Sequence, residues 1–184
     1  DRNVLIPRPE SELLIDVVRN MFDTNGTWTF ADIGTGSGCL AVTLALELPN
    51  AKIYATDLSE LSLNVARRNA ERHNVSHRIT FLQGNLLEPL AEYDTLDVIV
   101  ANLPYVPDEE RAANPDLAYE PVLALSGTKQ RELLYTEFLE QWRARTDRPR
   151  ALVEIHPALR DFLEQETKRL GISATFKQDL AGKD

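Results

Sequence analysis

Only one of the 184 residues is a cysteine, Cys39. An internal disulfide needs two, so none forms, and a reducing cytoplasmic setting is expected. Histidine is almost as scarce. His73, His77 and His156 are scattered, and no Cys/His cluster has zinc spacing, so no metal site is expected. No apolar run approaches the ~20 residues of a membrane-crossing helix. The first ten residues, DRNVLIPRPE, contain no apolar core of signal-peptide type. Positive charge is also short: 20 Lys and Arg stand against 29 Asp and Glu, for a net charge of -9. A broad phosphate-binding face rests on the opposite balance. Membrane and direct nucleic-acid binding are therefore not expected, whereas a protein or small-molecule partner is.

What is present suits one globular domain with a real core: 43% of residues are hydrophobic and 27% charged. Apolar runs alternate with amphipathic stretches. Strands are expected over 28–33, 52–56, 78–82, 96–101 and 150–155. Helices are expected over 38–48, 60–74, 130–145 and 158–170, with a further helix around 11–22. Leu40, Leu44 and Leu48 give the first inter-strand helix its apolar face; Leu61, Val65 and Ala66 give one to the next, which Ser59 caps. Gly171 ends the last helix, and 172–178 begin another strand. Strands alternating with helices imply parallel βαβ units. The fold class is thus α/β, a Rossmann-like, doubly wound and mostly parallel sheet with helices on both faces. The longest irregular stretch, 102–129, holds Pro104, Pro107, Pro115 and Pro121 and follows a strand end; a loop that long in a compact domain is usually functional or disordered.

Two turns carry chemistry. The first strand ends in Asp32-Ile33-Gly34-Thr35-Gly36-Ser37-Gly38. Glycines there permit a tight turn and close approach of a ligand to the backbone, and the following helix points its first amides into the same space. The second strand ends at Asp57, roughly 20 residues on, where an acid binds ribose hydroxyls. The fourth strand runs into Asn102-Leu103-Pro104-Tyr105, which in a parallel sheet lies beside the same ligand. Cys39 is expected to pack as a small hydrophobe, Trp28 and Trp142 as core or helix-packing residues, and His156 as a structural residue at a strand end. Glu88 and Glu120 remain open between a site role and solvation.

The spacing G-x-G-x-G is one residue shorter than the dinucleotide fingerprint, and with Asp32 before it resembles the nucleoside motif of class I methyltransferases. The cofactor implied is S-adenosylmethionine, whose sulfonium and ammonium favour acids such as Asp32 nearby. Asn102–Tyr105 resembles the [DNS]-P-P-[YF] motif of methyltransferases acting on planar nitrogens: glutamine amides and the exocyclic amines of adenine and cytosine. In that resemblance Asn102 and the Leu103 carbonyl accept the two N–H hydrogens of the target, which favours a pyramidal nitrogen in line with the S–methyl bond. Tyr105 stacks on the planar group. Leu103 stands where the motif has its first Pro; Pro104 keeps it extended.

Six segments together, VLIPRPESELL (4–14), DIGTGSGCLAV (32–42), ATDLSELSLNVARRNAERHNV (55–75), FLQGNLLEPL (81–90), VIVANLPYVP (98–107) and YEPVLALSG (119–127), look like the release-factor glutamine methyltransferases, the PrmC/HemK family. The resemblance implies an S-adenosylmethionine-dependent enzyme that methylates the side-chain amide of the GGQ glutamine in peptide-chain release factors. It implies Gly34, Thr35, Gly36, Ser37, Gly38, Asp57, Leu86 and Asn102 as cofactor-binding residues. Asn102, Leu103, Pro104 and Tyr105 would bind the substrate, with Asn102, Pro104 and Tyr105 as the catalytic group. Arg8, Pro9 and Glu10 match a segment near the active site, and Asn85 stands where the family has an acid. Residues 1–26 correspond to a linker and first helix and 27–184 to the catalytic domain, with the family's small N-terminal helical domain not represented. The competing readings are a nucleic-acid amino methyltransferase using the same Asn-x-Pro-Tyr chemistry, a nucleotide-binding dehydrogenase, and a binding domain without activity.

Overall fold

A computed structural model describes residues 4–6, 11–93, 95–105 and 131–177. In chain order the elements are α1 (Glu12–Met21), β1 (Thr29–Ile33), α2 (Cys39–Glu47), β2 (Lys52–Asp57), α3 (Glu60–Arg72), β3 (Ile79–Gln83), β4 (Val98–Asn102), α4 (Arg131–Ala144), β5 (Arg150–Glu154) and α5 (Arg160–Leu170). The five strands form one sheet in the order β3-β2-β1-β4-β5, and every neighbouring pair is parallel. This is the Rossmann-like α/β fold that the alternation implied.

Strand side chains alternate between two cores, as the two-residue period requires. Phe30, Ile53, Ala55, Val98 and Val100 face α1 and α2 with Leu14, Ile15, Val18, Leu40 and Leu44. Ala31, Ile33, Ile99 and Ala101 face the other way, against Tyr135 and Phe138 of α4 and Leu159 and Leu163 at α5. Both faces are covered, so the central strands are apolar on both sides.

Three expectations change. On α3, Leu61 is 61% exposed, while Leu63, Val65, Ala66 and Ala70 are buried. Leu61 and Leu63 lie two positions apart on nearly opposite sides of the helix, and packing on the sheet selects Leu63. No strand forms over 172–177. That segment is mostly exposed, with Phe176 partly buried against the second core. Cys39 is exposed at the start of α2 rather than packed inside. Ser59 does cap α3, its side chain accepting from Ser62 N–H at 3.3 Å, and Gly171 ends α5 in the left-handed conformation. Among the described residues no helix is long and apolar enough to cross a membrane.

Candidate functional site

From β1 the chain winds outward through β2 to β3, then returns to the other side of β1 for β4 and β5. The point of reversal lies between β1 and β4, and a parallel sheet opens a crevice there, beyond the carboxyl ends of its strands. Both sequence turns emerge at that place. Ile33 pairs with Ala101 across the two strands, so the glycine turn and the Asn102–Tyr105 segment leave the sheet side by side. A side chain placed on Gly34 would touch Leu103 Cδ2 at 3.4 Å.

The glycine turn is held by its own polar groups. Gly34, Gly36 and Gly38 have φ of 70°, 55° and 77°, the left-handed region that glycine enters without cost. Thr35 N–H donates to the Thr56 carbonyl at 2.9 Å, and Gly38 N–H to the Thr35 carbonyl at 2.8 Å. Asp32 is buried beneath the turn: its Oδ2 accepts from Thr35 Oγ1 at 2.6 Å and from Ala41 N–H at 3.1 Å. The carboxylate expected near a cationic ligand ties β1 to the start of α2. Burial pushes its pKa from 3.8 to about 6; the bonds from Thr35 and Ala41 oppose this, and Asp57 adds to it.

Asp57 ends β2 with both oxygens on backbone amides. Oδ2 accepts from Gly36 N–H at 2.9 Å and Oδ1 from Ser59 N–H at 2.8 Å. Each oxygen keeps a second acceptor site for a ligand hydroxyl. Burial raises this carboxyl as well. Ser37 gives its carbonyl to Asn69 Nδ2 at 2.8 Å. Among the described residues, a side chain at Gly36 would approach the Gly34 carbonyl at 3.9 Å and clash with nothing. Two neighbouring carboxyls beneath the turn disfavour an anionic group such as phosphate over it.

Leu86 is buried with φ of 51°, a conformation that costs a branched side chain roughly 1–2 kcal/mol. Its carbonyl accepts from the buried Thr56 Oγ1 at 2.8 Å, which holds it beside the end of β2. The neighbouring Asn85 donates Nδ2 to Glu137 Oε1 at 2.7 Å.

Asn102 ends β4 and donates Nδ2 to Ser11 Oγ at 2.8 Å. Ser11 Oγ donates to Glu154 Oε2 at 2.8 Å. Tyr105 OH donates to Glu154 Oε1 at 2.7 Å, and the Tyr105 ring lies 6.1 Å from the His156 ring, tilted by 38°. Leu103 is buried in the second core. Sequence reading passed over Ser11 and Glu154. Their one signal was place: Ser11 begins α1 and Glu154 ends β5, the strand paired with β4. Arg8, Pro9, Glu10 and Glu120 lie outside the described residues. Glu88 opens a short 3-10 turn, Glu88–Leu90, and His156 Nδ1 accepts from Ala158 N–H at 3.2 Å at the end of β5. Among the described residues no group of His, Cys, Asp or Glu could hold a metal ion.

Residues 13–105 match the family model described as ribosomal protein L11 methyltransferase (PrmA). The chain is 45% identical over 125 residues to a release factor glutamine methyltransferase of Moorella thermoacetica, covering 67% of this chain and 44% of that protein. It is 34% identical over 192 residues to one of Flavobacterium psychrophilum, covering all of this chain and 67% of that protein. The chain spans about half the length of the curated relatives it matches. Among solved structures, the N-terminal domain of human METTL16 in complex with SAH shares the fold at a TM-score of 0.71 and 18% identity, over 95% of this chain and 66% of that one.

Proposed function

The chain belongs to the release factor glutamine methyltransferase family, and from that premise we propose that it binds S-adenosylmethionine on the glycine turn and methylates the side-chain amide of a release-factor glutamine. The observation that supports this reading is that the two turns leave the sheet side by side: Ile33 pairs with Ala101, and a side chain placed on Gly34 would come to 3.4 Å from Leu103 Cδ2, so a methyl donor held on the glycine turn would lie next to an acceptor at Asn102.

In this reading Gly34, Thr35, Gly36, Ser37 and Gly38 would cradle the cofactor, Asp57 would take its ribose diol, and Leu86 would help hold its adenine. When bound, S-adenosylmethionine supplies a methyl group already activated by the positive sulfonium. The residues have to supply geometry. An amide nitrogen is a weak nucleophile because its lone pair is delocalised into the carbonyl. Asn102 Oδ1 and the Leu103 carbonyl accept its two hydrogens, draw the nitrogen toward a pyramid and aim the lone pair at the methyl carbon. Pro104 holds Leu103 extended, and the Tyr105 ring lies along the planar amide. The nitrogen sheds its proton after transfer, so no strong base is required beforehand.

The partner proposed is a peptide-chain release factor presenting its GGQ glutamine, in the cytoplasm. An exocyclic amine in nucleic acid offers the same NH₂ geometry, but a net charge of -9 disfavours a polyanion. The test incubates the chain with methyl-labelled S-adenosylmethionine and either a release factor, DNA or RNA, followed by mass spectrometry of the release factor. One added methyl on the GGQ glutamine is the expected result, with turnover falling on the order of 100-fold in Asn102→Ala. Label confined to nucleic acid, or full turnover in Asn102→Ala, overturns the proposal.

A further inference from the structure

Asn102 is useful to an NH₂ target only if it shows that target an oxygen. A planar amide can rotate by half a turn and show its own NH₂ instead, setting donor against donor. Something must fix the choice, and the site contains it.

The bonds joining Asn102, Ser11, Glu154 and Tyr105 have one consistent direction. A carboxylate has only lone pairs to give, so the hydroxyls of both Ser11 and Tyr105 donate to Glu154. A serine hydroxyl has a single hydrogen. With it committed to Glu154, Ser11 has only lone pairs left for Asn102. Asn102 must then turn Nδ2 toward Ser11, which leaves Oδ1 on the opposite branch of its amide. The backbone supports this assignment. Ser11 stands at the N-cap of α1 with helical φ and ψ (-65°, -16°), and its side chain makes no capping bond, although serine at that position ordinarily accepts from a first-turn N–H. Its hydroxyl is instead committed to residues 91 and 143 positions away in the chain. Glu154 is itself anchored, its backbone carbonyl accepting from Tyr135 OH at 2.9 Å, and Tyr135 is fully buried in the second core.

We propose that Ser11 and Glu154 are positioning residues: through one relay of hydrogen bonds they lock the amide of Asn102 with its oxygen available as an acceptor, and they hold Tyr105 in place beside it. The inference rests on the reading that the target is an NH₂ group, and it deepens that reading by assigning the selection of Asn102's rotamer to α1 and β5.

The test has two arms. The first needs no turnover. In ¹⁵N-labelled full chain, the side-chain amide of Asn102 is identified by its loss in Asn102→Ala. In the unmodified protein one of its two protons is expected to be shifted downfield and slow to exchange. Ser11→Ala is expected to remove both features and Ser11→Thr, which keeps the hydroxyl, to retain them. The second arm measures kcat and KM with release factor. Ser11→Ala is expected to lower kcat on the order of tenfold with the KM for S-adenosylmethionine unchanged, and Ser11→Thr to restore it. In an Asn102→Ala background, Ser11→Ala is expected to cost nothing further. An Asn102 amide signal indifferent to Ser11→Ala, or losses from Ser11 and Asn102 that multiply, overturns the proposal. If Ser11→Ala fails to fold, Ser11→Cys keeps the size, weakens the acceptor and takes its place. If the unmodified chain transfers no methyl to any release factor, the functional reading falls, while the amide spectrum still decides whether the relay exists.

Discussion

Asp32 shows how much a single buried carboxyl can govern. Its folded pKa is raised from 3.8 to about 6, chiefly by burial. Between those values the folded protein binds more protons than the unfolded chain. The contribution of Asp32 to stability is therefore largest below about pH 4, falls as pH rises toward 6 and is level above that. Two pKa units correspond to about 3 kcal/mol. Asp32→Asn can keep an oxygen acceptor for Thr35 Oγ1 and Ala41 N–H but cannot titrate. Urea unfolding of both proteins between about pH 4 and about pH 7 should show the unmodified protein losing stability relative to Asp32→Asn by up to about 3 kcal/mol as pH rises. A constant difference across that window would mean that Asp32 is not desolvated as described. The sequence placed Asp32 at the right strand end but did not show its bonds to Thr35 and Ala41, because period and spacing say which residue ends a strand, not where its side chain finds partners. The same limit hid Ser11 and Glu154, whose bonds reach across 91 and 143 positions.

At the scale of elements, the glycine turn separates folding from binding. A methyl on Gly38 would approach Ala66 Cβ to 2.9 Å and its Cα to 3.1 Å, so α2 would have to move off α3. At Gly36 the added methyl would make, among the described residues, an ordinary contact with the Gly34 carbonyl at 3.9 Å and no clash. Both substitutions carry the left-handed cost of roughly 1–2 kcal/mol. Gly38→Ala is expected to destabilise the protein by more than this, and Gly36→Ala by about this amount while abolishing calorimetric binding of S-adenosylmethionine. Equal stability losses with binding intact in Gly36→Ala would contradict the cradle. A second corner joins α4 to β5. Arg145 makes paired bonds to Asp147 at 2.8 Å and also donates to the carbonyls of Leu90 and Tyr93, while Asp147 accepts from Leu96 N–H. The two side chains are only 10% and 9% exposed. Burial pushes Asp147 up, but the bonds from Arg145 and Leu96 outweigh it and hold its carboxyl below the usual value. Arg145→Ala leaves that charge unpaired and is expected to cost about 3–5 kcal/mol, read as a drop in the urea midpoint. That corner is written as RTDRPR, a string whose polar composition announces a turn and nothing of the clamp inside it. Helix α3 was legible as a helix but not in its rotation, since Leu61 and Leu63 are equally apolar and only the sheet decides between them.

For the whole molecule, the parallel sheet was legible because strands and helices alternate, and its reversal between β1 and β4 because a doubly wound sheet has to bring both turns to one ligand. Composition alone does not distinguish the orders, since winding in either direction buries equally apolar strands. For α1 the helix was legible, but its packing against the sheet was not. In the fold it is a structural member. Leu14, Ile15 and Val18 are buried in the same core as Phe30, Val98 and Val100, and Phe22 packs edge-on against Trp28 with ring centroids 4.8 Å apart. Burying three such side chains is worth roughly 1.5–3 kcal/mol each, a sum comparable with the 5–15 kcal/mol that separates folded from unfolded domains. Removal of residues 1–22 is therefore expected to abolish cooperative urea unfolding, followed by the fluorescence of Trp28 and Trp142. It would also take Ser11 away from Asn102, so structure and site would fail together. A shortened chain that unfolds with the same midpoint and slope as the full one would make α1 an appendage, and Ser11 could then hold Asn102 only as a loosely tethered neighbour.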